Sequence, residues 1–366
     1  MIRVLHVLGG LNRGGAETMV MNFYRAIDRN EVQFDFVIHS SSQNDYIEEI
    51  EEMGGKIYIF PKFKGYNFVN YRRTWEKFFA NHTEYRIIHS HIRSYASLFF
   101  SIASKYGLKT IIHSHSTSNG KGFKSFIKYL LQKPLANQAD YLFACSEEAG
   151  KWLYGSKKIK EDNYFLVKNA IDVGKYKYNE IARNKYRNDL GIENNLVLGH
   201  VGRLSAPKNH KFLLKVFKGV LEKNSKAVLL IVGDGDLEED INKTIKDLNL
   251  EGKVYMLGSR DDINFILQAM DIFLFPSIWE GLPVAVVEAE ASGLPCIVSE
   301  AVTKEVKLLP NLKYLPINKG QDIWINTILN TDLSRFKGAD EMVSLEGFDI
   351  RQTSEWLLKF YKSLVS

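Results

Sequence analysis

The chain has 366 residues, of which 45% are apolar and 25% are charged. This composition describes an ordinary globular protein whose length exceeds one core, so two domains are expected. The net charge is +5, and residues 1–180 carry 25 Lys and Arg against 18 Asp and Glu. A basic first half suits an anionic partner such as phosphates or a membrane surface, although a solvated lysine-rich surface would give the same count. No basic helix is interleaved with aromatic residues, so a nucleic-acid partner is not expected.

The N-terminus MIRVLHVLGG is read as a strand, because it lacks the basic region and cleavage site of a signal peptide. No stretch approaches the roughly 18 apolar residues that a membrane span needs. The two cysteines, Cys145 and Cys296, lie in apolar strand-like runs. Buried thiols in a reducing compartment are therefore expected, which points to a cytoplasmic protein.

Short apolar runs alternate with helix-period segments along the whole chain. Such runs, with helices between them, are typical of parallel sheets covered on both faces. The sequence thus predicts an α/β protein with two doubly wound, Rossmann-like sheets of seven and five strands. The predicted strands are 2–10, 33–40, 56–61, 86–91, 109–115, 141–146 and 164–170, followed by 196–202, 227–233, 253–258, 271–277 and 295–300.

The domain boundary is expected within residues 171–192, which are polar and lack strand signals. We therefore predict a first domain over 1–180, a second over 181–348 and a closing segment over 349–366. In that segment Trp356, Leu357, Phe360 and Leu364 follow a helical spacing. The resulting amphipathic helix needs an apolar groove to pack into.

Two glycine-rich loops nearly match nucleotide-binding fingerprints, and neither completes one. The first, LGGLNRGGAET, has Leu11 where a dinucleotide fingerprint needs glycine and Ala16 where a P-loop needs lysine. The second loop, Gly233-Asp-Gly235-x-x-Glu238, lacks the third glycine of a dinucleotide fingerprint. These failures argue against an NAD enzyme, a kinase and an ATPase. Gly14 and Gly15 would still expose backbone amides at the start of a helix, which favours an anion site; a tight strand-to-helix turn is the alternative.

The stretch GHVGRLSAPKNHKFLLKVF places two cations directly after a strand. Arg203 follows the strand, and Ser205 with Pro207 predicts a helix start that puts Lys208 in the first turn. A cation there opposes the helix dipole unless an anion is bound. This pattern favours a diphosphate site over plain surface charge. The later Asp234-Gly-Asp236 is read as a helix opening rather than a metal site.

Two carboxylates flank a Gly-Leu-Pro in IWEGLPVAVVEAEASGLPCIVS. Glu280 precedes a helix that Pro283 is predicted to begin, and Glu288 lies within it among Val and Ala. Gly281 lets the backbone approach a ligand, and the free amides of that helix start would face it. Because an unpartnered buried carboxylate costs several kcal/mol, Glu288 should meet hydroxyls, amides or a cation. Two hydroxyl acceptors around an amide-rich helix start suit a sugar nucleotide; a buried salt bridge is the alternative for Glu288.

These residues together resemble glycosyltransferase family 4, in the style of bacterial exopolysaccharide and capsule glycosyltransferases. The resemblance spans the chain through VLHVLGGLNRGGAE, GRLSAPK, LGSRDDI and the Glu280-to-Glu288 motif. It implies the GT-B fold, in which two Rossmann-like domains face a cleft and a C-terminal helix crosses back to the first domain. It also implies retaining transfer from a nucleotide-diphosphate sugar, UDP being the first candidate, without a metal or another cofactor.

The resemblance also implies roles for matching positions. Arg203 and Lys208 would bind the diphosphate, Glu280 the donor sugar and Glu288 the ribose. The remaining donor contacts would come from Gly14, Gly15, Arg260, Gly281, Leu282 and Pro283. A histidine after a first-domain strand would contact the transferred sugar. His115 is the choice, with His113 as the alternative.

A lipid-linked saccharide is the expected acceptor. Residues 121–135 combine lysines with apolar residues, a pattern that suits a peripheral contact with the inner face of an anionic membrane. An ordinary domain helix with exposed lysines is the alternative. A sugar-nucleotide epimerase and a non-catalytic nucleotide-sugar binding protein remain the alternative functions.

Overall fold

A computed structural model describes residues 1–12, 14–40, 45–115 and 123–365, without the side chains of 123–126. The chain divides into two compact units. The first comprises the residues up to Ala170 together with those from Ile350 onward, and the second comprises Ile171–Asp349.

The first unit is built on a seven-stranded parallel sheet. Its strands follow the order β3-β2-β1-β4-β5-β6-β7. They are β1 (Ile2–Leu8), β2 (Val32–Ile38), β3 (Ile57–Ile59), β4 (Ile87–Ser90), β5 (Lys109–Ser114), β6 (Tyr141–Ala144) and β7 (Tyr164–Leu166). The central strands are buried along their length, as the continuous apolar runs predicted.

Helices cover both faces of this sheet. They are α1 (Gly15–Ala26), α2 (Ile47–Glu52), α3 (Phe68–Asn81), α4 (Ala96–Ala103), α5 (Phe123–Gln132), α6 (Leu135–Gln138) and α7 (Glu147–Lys158), with a 3-10 turn at Ser104–Tyr106. Leu5 and Val7 of β1 point into one apolar core, and Val4 and Leu8 point into the other. This alternation divides the side chains of each strand between the two cores.

The second unit has a six-stranded parallel sheet in the order β10-β9-β8-β11-β12-β13. Its strands are β8 (Leu196–Val201), β9 (Ala227–Val232), β10 (Val254–Met256), β11 (Ile272–Phe275), β12 (Cys296–Ser299) and β13 (Leu312–Leu315). The predicted count of five strands was one too low, because β13 was missed. That edge strand is short and lies between Pro310 and Pro316, and its two central residues are not fully buried.

The helices of the second unit also lie on both faces of their sheet. They are α8 (Val173–Tyr176), α9 (Glu180–Leu190), α10 (His210–Lys223), α11 (Glu238–Asp247), α12 (Ile263–Ala269), α13 (Val284–Ala291), α14 (Asp322–Leu329) and α15 (Ala339–Val343). Short turns at Ala206–Lys208 and Lys304–Val306 are 3-10 helices, and Ser344–Phe348 is a π-helical turn. The polar segment 171–192 therefore contains α8 and α9.

The last helix, α16 (Ile350–Ser363), packs on the first unit. Its residues Ile350, Leu357 and Tyr361 are buried in the same core as α1. This return of the chain was expected of the closing amphipathic helix and is confirmed.

The chain order of the strands reverses between β1 and β4 in the first sheet and between β8 and β11 in the second. In open α/β sheets, ligands bind beyond the carboxyl ends of the strands at such points of reversal. The loops that follow β8 and β11 carry Arg203, Lys208 and Glu280–Pro283. The topology thus brings the strongest motifs of the second unit to one end of its sheet.

Two further expectations are met. Both cysteines are free and buried. Among the described residues, none of the helices combines the length and apolar character that crossing a membrane would require.

Candidate functional site

The loop after β8 differs from the expected helix start. Ser205 precedes a single 3-10 turn at Ala206–Lys208, and Asn209 then takes a left-handed conformation with φ of 59°. The long helix α10 begins only at His210. The prediction that Lys208 lies in the first turn of this helix is therefore wrong, and its charge is not held against that helix dipole.

Lys208 is paired with Glu280. The Lys208 Nζ lies 2.7 Å from Glu280 Oε1, and the two side chains are only 15% and 17% exposed. The ammonium also lies 4.5 Å from the centre of the Phe275 ring, at the end of β11. The lysine stem passes over Gly202, where a Cβ would come within 3.0 Å of Lys208 Cε. Two residues predicted to contact the donor thus form one partly buried ion pair.

Backbone and side-chain hydrogen bonds hold the two loops together. The amide of Ile278 donates to the Pro207 carbonyl at 2.7 Å. The Asn209 side chain donates to the Pro276 carbonyl at 3.2 Å. These bonds fix the loop before Glu280 against the turn that carries Lys208.

Arg203 lies on the surface beside the same loop. Its side chain is 67% exposed, and its guanidinium is 3.9 Å from the carboxylate of Asp236. Gly233 and Gly235 bring the following segment against the backbone of 202–204, since a Cβ at either position would collide with a backbone oxygen there. This close approach gives the Gly-Asp-Gly sequence a packing role. Arg203 is thus mostly exposed, whereas Lys208 is held by Glu280.

The Gly-Leu-Pro leads into α13, which starts at Val284 with Pro283 as its N-cap. The prediction that Pro283 is the first helical residue is thus off by one position. Among the described residues, the amides of Gly281 and Leu282 donate no hydrogen bond to protein. Leu282 is buried, whereas Gly281 is partly exposed. Free amides at a helix start favour an anionic or hydroxyl oxygen.

Glu288 lies one helical turn into α13 and has a partner that sequence reasoning missed. The Tyr176 hydroxyl of α8 donates to Glu288 Oε1 at 2.8 Å. Burial raises the pKa of Glu288, and the hydrogen bond from Tyr176 opposes this effect. The expectation of a hydroxyl partner is met within the protein itself. The salt-bridge alternative is not seen among the described residues.

Glu290 points to the opposite side of α13 and is fully buried. Its Oε1 accepts hydrogen bonds from the amides of Leu308 and Leu309 at 3.2 and 2.9 Å. Burial raises its pKa to about 8, so the carboxyl is held largely protonated at neutral pH. Its role is to anchor the 308–309 loop.

Arg260 is engaged by its own loop. Its guanidinium donates to both oxygens of Asp262 at 2.8 and 2.6 Å, and the Tyr186 hydroxyl donates to the same carboxylate. This pairing lowers the pKa of Asp262 to about 2. Arg260 remains exposed, so its planar face is available for contacts.

In the first unit, Gly14 is the N-cap of α1 and Gly15 its first residue, as predicted. The Glu17 carboxylate folds back onto Gly14, close to where a Cβ would lie. Burial raises the pKa of Glu17. The start of α1 thus already faces the Glu17 carboxylate. An anion could bind there only if Glu17 moved away or were protonated.

Five of the first-unit histidines, His6, His89, His91, His113 and His115, lie along one face of the central strands. His113 is fully buried, whereas His115, just past the end of β5, is partly exposed. Burial, together with the charge of Arg93, lowers the pKa of His115 to about 3. Both imidazoles are therefore neutral at physiological pH. Arg93, in the loop after β4, is a neighbour that the sequence did not indicate.

Among the described residues, two histidine groups have the geometry to hold a metal ion. They are His6, His89 and His91, and His91, His113 and His115. Neither includes Asp234 or Asp236. Within the second unit, Lys208, Glu280 and Gly281–Pro283 come together, while Arg260 is engaged elsewhere.

Two protein families match the chain. Glycosyltransferase Family 4 matches residues 13–175, and Glycosyl transferases group 1 matches residues 182–308. The putative glycosyltransferase EpsF of Bacillus subtilis is 34% identical over 98% of this chain and 96% of its own length. An Escherichia coli enzyme, UDP-Gal:alpha-D-GlcNAc-diphosphoundecaprenol alpha-1,3-galactosyltransferase, is 31% identical over 59% of this chain and 58% of its own.

A solved structure shares the fold. Anabaena Alr3699/HepE in complex with UDP and glucose superposes with a TM-score of 0.77 and 19% identity, covering 99% of this chain and all of that one. The chain therefore belongs to the group 1 and family 4 glycosyltransferases, which are retaining enzymes of the GT-B fold.

Proposed function

We propose that the protein transfers a sugar from a UDP-sugar to a hydroxyl of a lipid-linked saccharide in bacterial surface polysaccharide synthesis. The second unit binds the donor, and the first unit provides the acceptor side. The observation that carries the donor site is the Lys208–Glu280 pair beside the free amides of Gly281 and Leu282. Cation, carboxylate and amides at the end of one sheet match the needs of a sugar diphosphate.

The charges of this site suit departure of a diphosphate. In a retaining transfer, positive charge develops on the sugar and negative charge grows on the leaving phosphate. Lys208 and the amides stabilise that negative charge where it develops, and exposed Arg203 closes over it. Glu280 accepts from the donor sugar and Glu288 from the ribose. As in the family, the departing phosphate is assigned the acceptor proton, so no protein base is required.

The remaining predicted positions complete the donor contacts. Arg260 borders the base, and Gly14 and Gly15 of the first unit approach the diphosphate. His115 contacts the transferred sugar in preference to His113, because only His115 is partly exposed. Family membership favours transfer over the epimerase and the non-catalytic binding protein.

UDP is proposed as the nucleotide because two relatives involve it. The E. coli relative is named as a UDP-Gal enzyme, and the Anabaena structure contains UDP. A thermal-shift panel of UDP, GDP and ADP tests this choice. A ligand at 100 times its Kd adds about 2.7 kcal/mol of stability. Stabilisation by UDP that is lost in Arg203→Ala supports the donor site, and stabilisation by GDP or ADP alone contradicts the choice of base.

The lipid-linked acceptor is proposed by analogy with the E. coli relative, whose name includes a diphosphoundecaprenol acceptor. In this chain, Ile127, Tyr129 and Leu130 of α5 are exposed apolar residues. Residues 121 and 122 of the proposed membrane contact lie outside the described residues. Co-sedimentation with anionic liposomes tests the contact: binding should weaken in Lys128→Glu and Lys133→Glu. Binding that these substitutions leave unchanged argues for an ordinary domain helix.

A further inference from the structure

Five histidines of the first sheet form a stacked array on the face that α1 and α16 cover. They are His6 of β1, His89 and His91 in and after β4, and His113 and His115 in and after β5. Strands β1, β4 and β5 are neighbours in the sheet, so alternate positions on each bring the rings side by side. Burial lowers the pKa of all five, so the rings are neutral and each carries one N–H.

Three of these rings form one hydrogen-bonded chain. His6 Nδ1 lies 3.0 Å from His91 Nε2, and His91 Nδ1 lies 2.8 Å from His115 Nε2. The planes of His6 and His91 differ by only 11°, with ring centres 5.3 Å apart. This is the geometry of two imidazoles joined nitrogen to nitrogen in one plane.

The other two rings form a second chain that begins on α16. The Tyr361 hydroxyl lies 2.7 Å from His89 Nδ1, and His89 Nε2 lies 3.3 Å from His113 Nδ1. The planes of His89 and His113 differ by 12°. The two chains stack on each other, with the centres of His113 and His115 separated by 4.2 Å.

We propose that every ring in this array is held as the Nε2–H tautomer, which leaves His115 Nδ1 as a bare hydrogen-bond acceptor for a sugar hydroxyl. His6 and His91 are then positioning residues, since they act only through His115. The ligand part of this inference rests on the proposed function, whereas the tautomer part does not.

The His6 end of the first chain favours this direction. In a chain of neutral imidazoles, every N–H must point the same way, so one end sets the others. At one end, His6 Nε2 is buried without a hydrogen-bond partner, and the Phe34 ring centre is 4.1 Å from that of His6. An aromatic face accepts an N–H and repels a lone pair. At the other end, His115 Nδ1 is also buried without a hydrogen-bond partner, and the positive charge of Arg93 opposes protonation of the ring.

The second chain is directed by its own ends. Tyr361 donates to His89 Nδ1, since the opposite direction would leave its hydroxyl proton in the core without an acceptor. His89 Nε2–H then donates to His113 Nδ1, which places the His113 proton on Nε2. That nitrogen makes no hydrogen bond of ordinary geometry.

The result is a fixed acceptor rather than a proton relay. A proton that entered at His115 could move along the chain only to His6, where apolar rings surround the last nitrogen. Within the array, His115 Nδ1 is the one ring nitrogen left with a lone pair and no donor. This nitrogen can accept a hydrogen bond from an O–H group. It cannot bind a carbonyl or phosphate oxygen, because neither atom would supply a proton.

A divalent metal is the competing occupant, because the ring nitrogens of two groups of three lie within 4.8 Å of one another. A metal needs lone pairs from several rings to converge on one point. In the His6–His91 and His89–His113 pairs, whose ring planes differ by only 11° and 12°, each lone pair instead points at the N–H of the next ring. The geometry therefore favours hydrogen-bonded chains.

The test is long-range ¹H–¹⁵N NMR on ligand-free protein labelled with ¹⁵N-histidine, which distinguishes a bare ring nitrogen from a protonated one. We expect five neutral Nε2–H signals that do not change on addition of Zn²⁺. A protonated Nδ1 on His115, or a chelator-reversible change of the five signals with Zn²⁺, would overturn the proposal. The measurement on the unsubstituted protein decides it even if variants fold poorly.

The positioning role is tested with His6→Phe, which keeps a ring but removes the acceptor for His91. We expect the His115 signals to lose their single tautomer, while His82→Phe, on the surface beside Glu84, leaves them unchanged. An unaltered His115 tautomer in folded His6→Phe would contradict the role of His6. Failure of UDP-sugar binding in the unsubstituted protein would instead concern the proposed function alone.

Discussion

The ammonium of Lys208 lies 2.7 Å from the carboxylate of Glu280, and both groups are mostly shielded from solvent. Each was expected to contact a different part of the donor. Their pairing means that the site holds its cation against its own carboxylate. A diphosphate must draw Lys208 away from Glu280 or share it, whereas exposed Arg203 is available without such a cost. The ion pair itself carries no net charge, which limits capture of unrelated anions.

Replacing Lys208 should lower turnover more than donor affinity. Lys208→Met keeps the apolar stem over Gly202 but removes the charge that stabilises the leaving diphosphate. We expect kcat to fall by about 10²–10³. Steady-state release of UDP from a UDP-sugar with acceptor measures it. Lys211→Met, on the exposed side of α10, is the control, and near-normal turnover in Lys208→Met would remove Lys208 from the reaction.

Tyr176→Phe should weaken donor binding and make it more sensitive to acid. Without the Tyr176 hydrogen bond, the pKa of Glu288 rises further, because that bond lowers it. The lost bond is worth about 1 kcal/mol, or roughly a fivefold increase in Kd. As the pH is lowered, the affinity for UDP should begin to fall at a higher pH in the variant than in the unsubstituted protein. The reason is that only the ionised form of Glu288 is proposed to accept from the ribose. Calorimetric titration with UDP across pH measures both effects.

The control for this experiment is Tyr178→Phe, which removes an exposed hydroxyl two residues away in sequence. Its UDP affinity should match that of the unsubstituted protein. An equal loss in both variants would mean that Tyr176 acts through general stability and not through Glu288.

The strands could be predicted because fully buried parallel strands leave a strong local signal. β1, β4 and β8 are continuous apolar runs, and the sequence places each within a few residues of its observed bounds. β13 left no such signal, since only its two end residues are buried. Edge strands with mixed burial resemble loops in sequence, so their number is underestimated.

The site motifs could be recognised, but their partners could not. Glu288 was expected to need a hydroxyl, yet Tyr176 lies 112 residues away and has no sequence pattern that links the two. Likewise, the start of α10 was placed too early because the left-handed turn at Asn209 depends on the loop after β11. Tertiary contacts of this kind decide where a local signal ends.

Gly233→Ala should be strongly destabilising and should disturb Arg203. Gly233 has φ of 133°, and a Cβ would collide with the Gly202 carbonyl, which belongs to rigid backbone. We expect a loss of roughly 2–4 kcal/mol in the free energy of unfolding. Gly252→Ala shares a positive φ of 71° but has open space around the new Cβ. It should cost only about 1 kcal/mol of strain, and equal losses in urea unfolding of the two variants would contradict the packing argument.

Glu290→Gln should remove a loss of stability that develops as the pH rises from the ordinary carboxyl pKa to about 8. The folded-state pKa of Glu290 is raised to about 8, so between its ordinary value and 8 the folded state holds a proton that the unfolded state has released. Stability therefore falls as pH rises through this window, by about 1.4 kcal/mol per pKa unit. The glutamine still accepts from Leu308 and Leu309 but does not titrate.

Urea unfolding near pH 6 and near pH 8 measures this difference. The gain of Glu290→Gln over the unsubstituted protein should grow with pH. Glu222→Gln, on the exposed side of α10, is the control and should show no pH-dependent gain. If the free energies of unfolding of Glu290→Gln and the unsubstituted protein differed by the same amount at both pH values, the buried carboxyl would be ionised in the folded state.

The first unit should be more sensitive to acid than the second. Burial lowers the pKa of six of its histidines, among them His39 to about 4, and of only His200 and His210 in the second unit. A histidine with a lowered folded-state pKa stabilises the protein fully above its ordinary pKa of about 6.5, and this contribution is lost as pH falls below that value. Each such ring then costs roughly 1.4 kcal/mol near pH 5.5.

Six rings amount to roughly 8 kcal/mol near pH 5.5, comparable with the whole stability of a domain. We expect amide hydrogen exchange to show β1, β4 and β5 opening as the pH is lowered from 7.5, while β8 and β11 stay protected to lower pH. Removing one buried imidazole, as in His39→Phe, should reduce the number of protons taken up on unfolding by about one. The control His82→Gln should leave that number unchanged. Equal acid sensitivity of the two sheets would contradict the lowered pKa values of these six histidines, because rings with the same pKa in the folded and unfolded states take up no protons on unfolding.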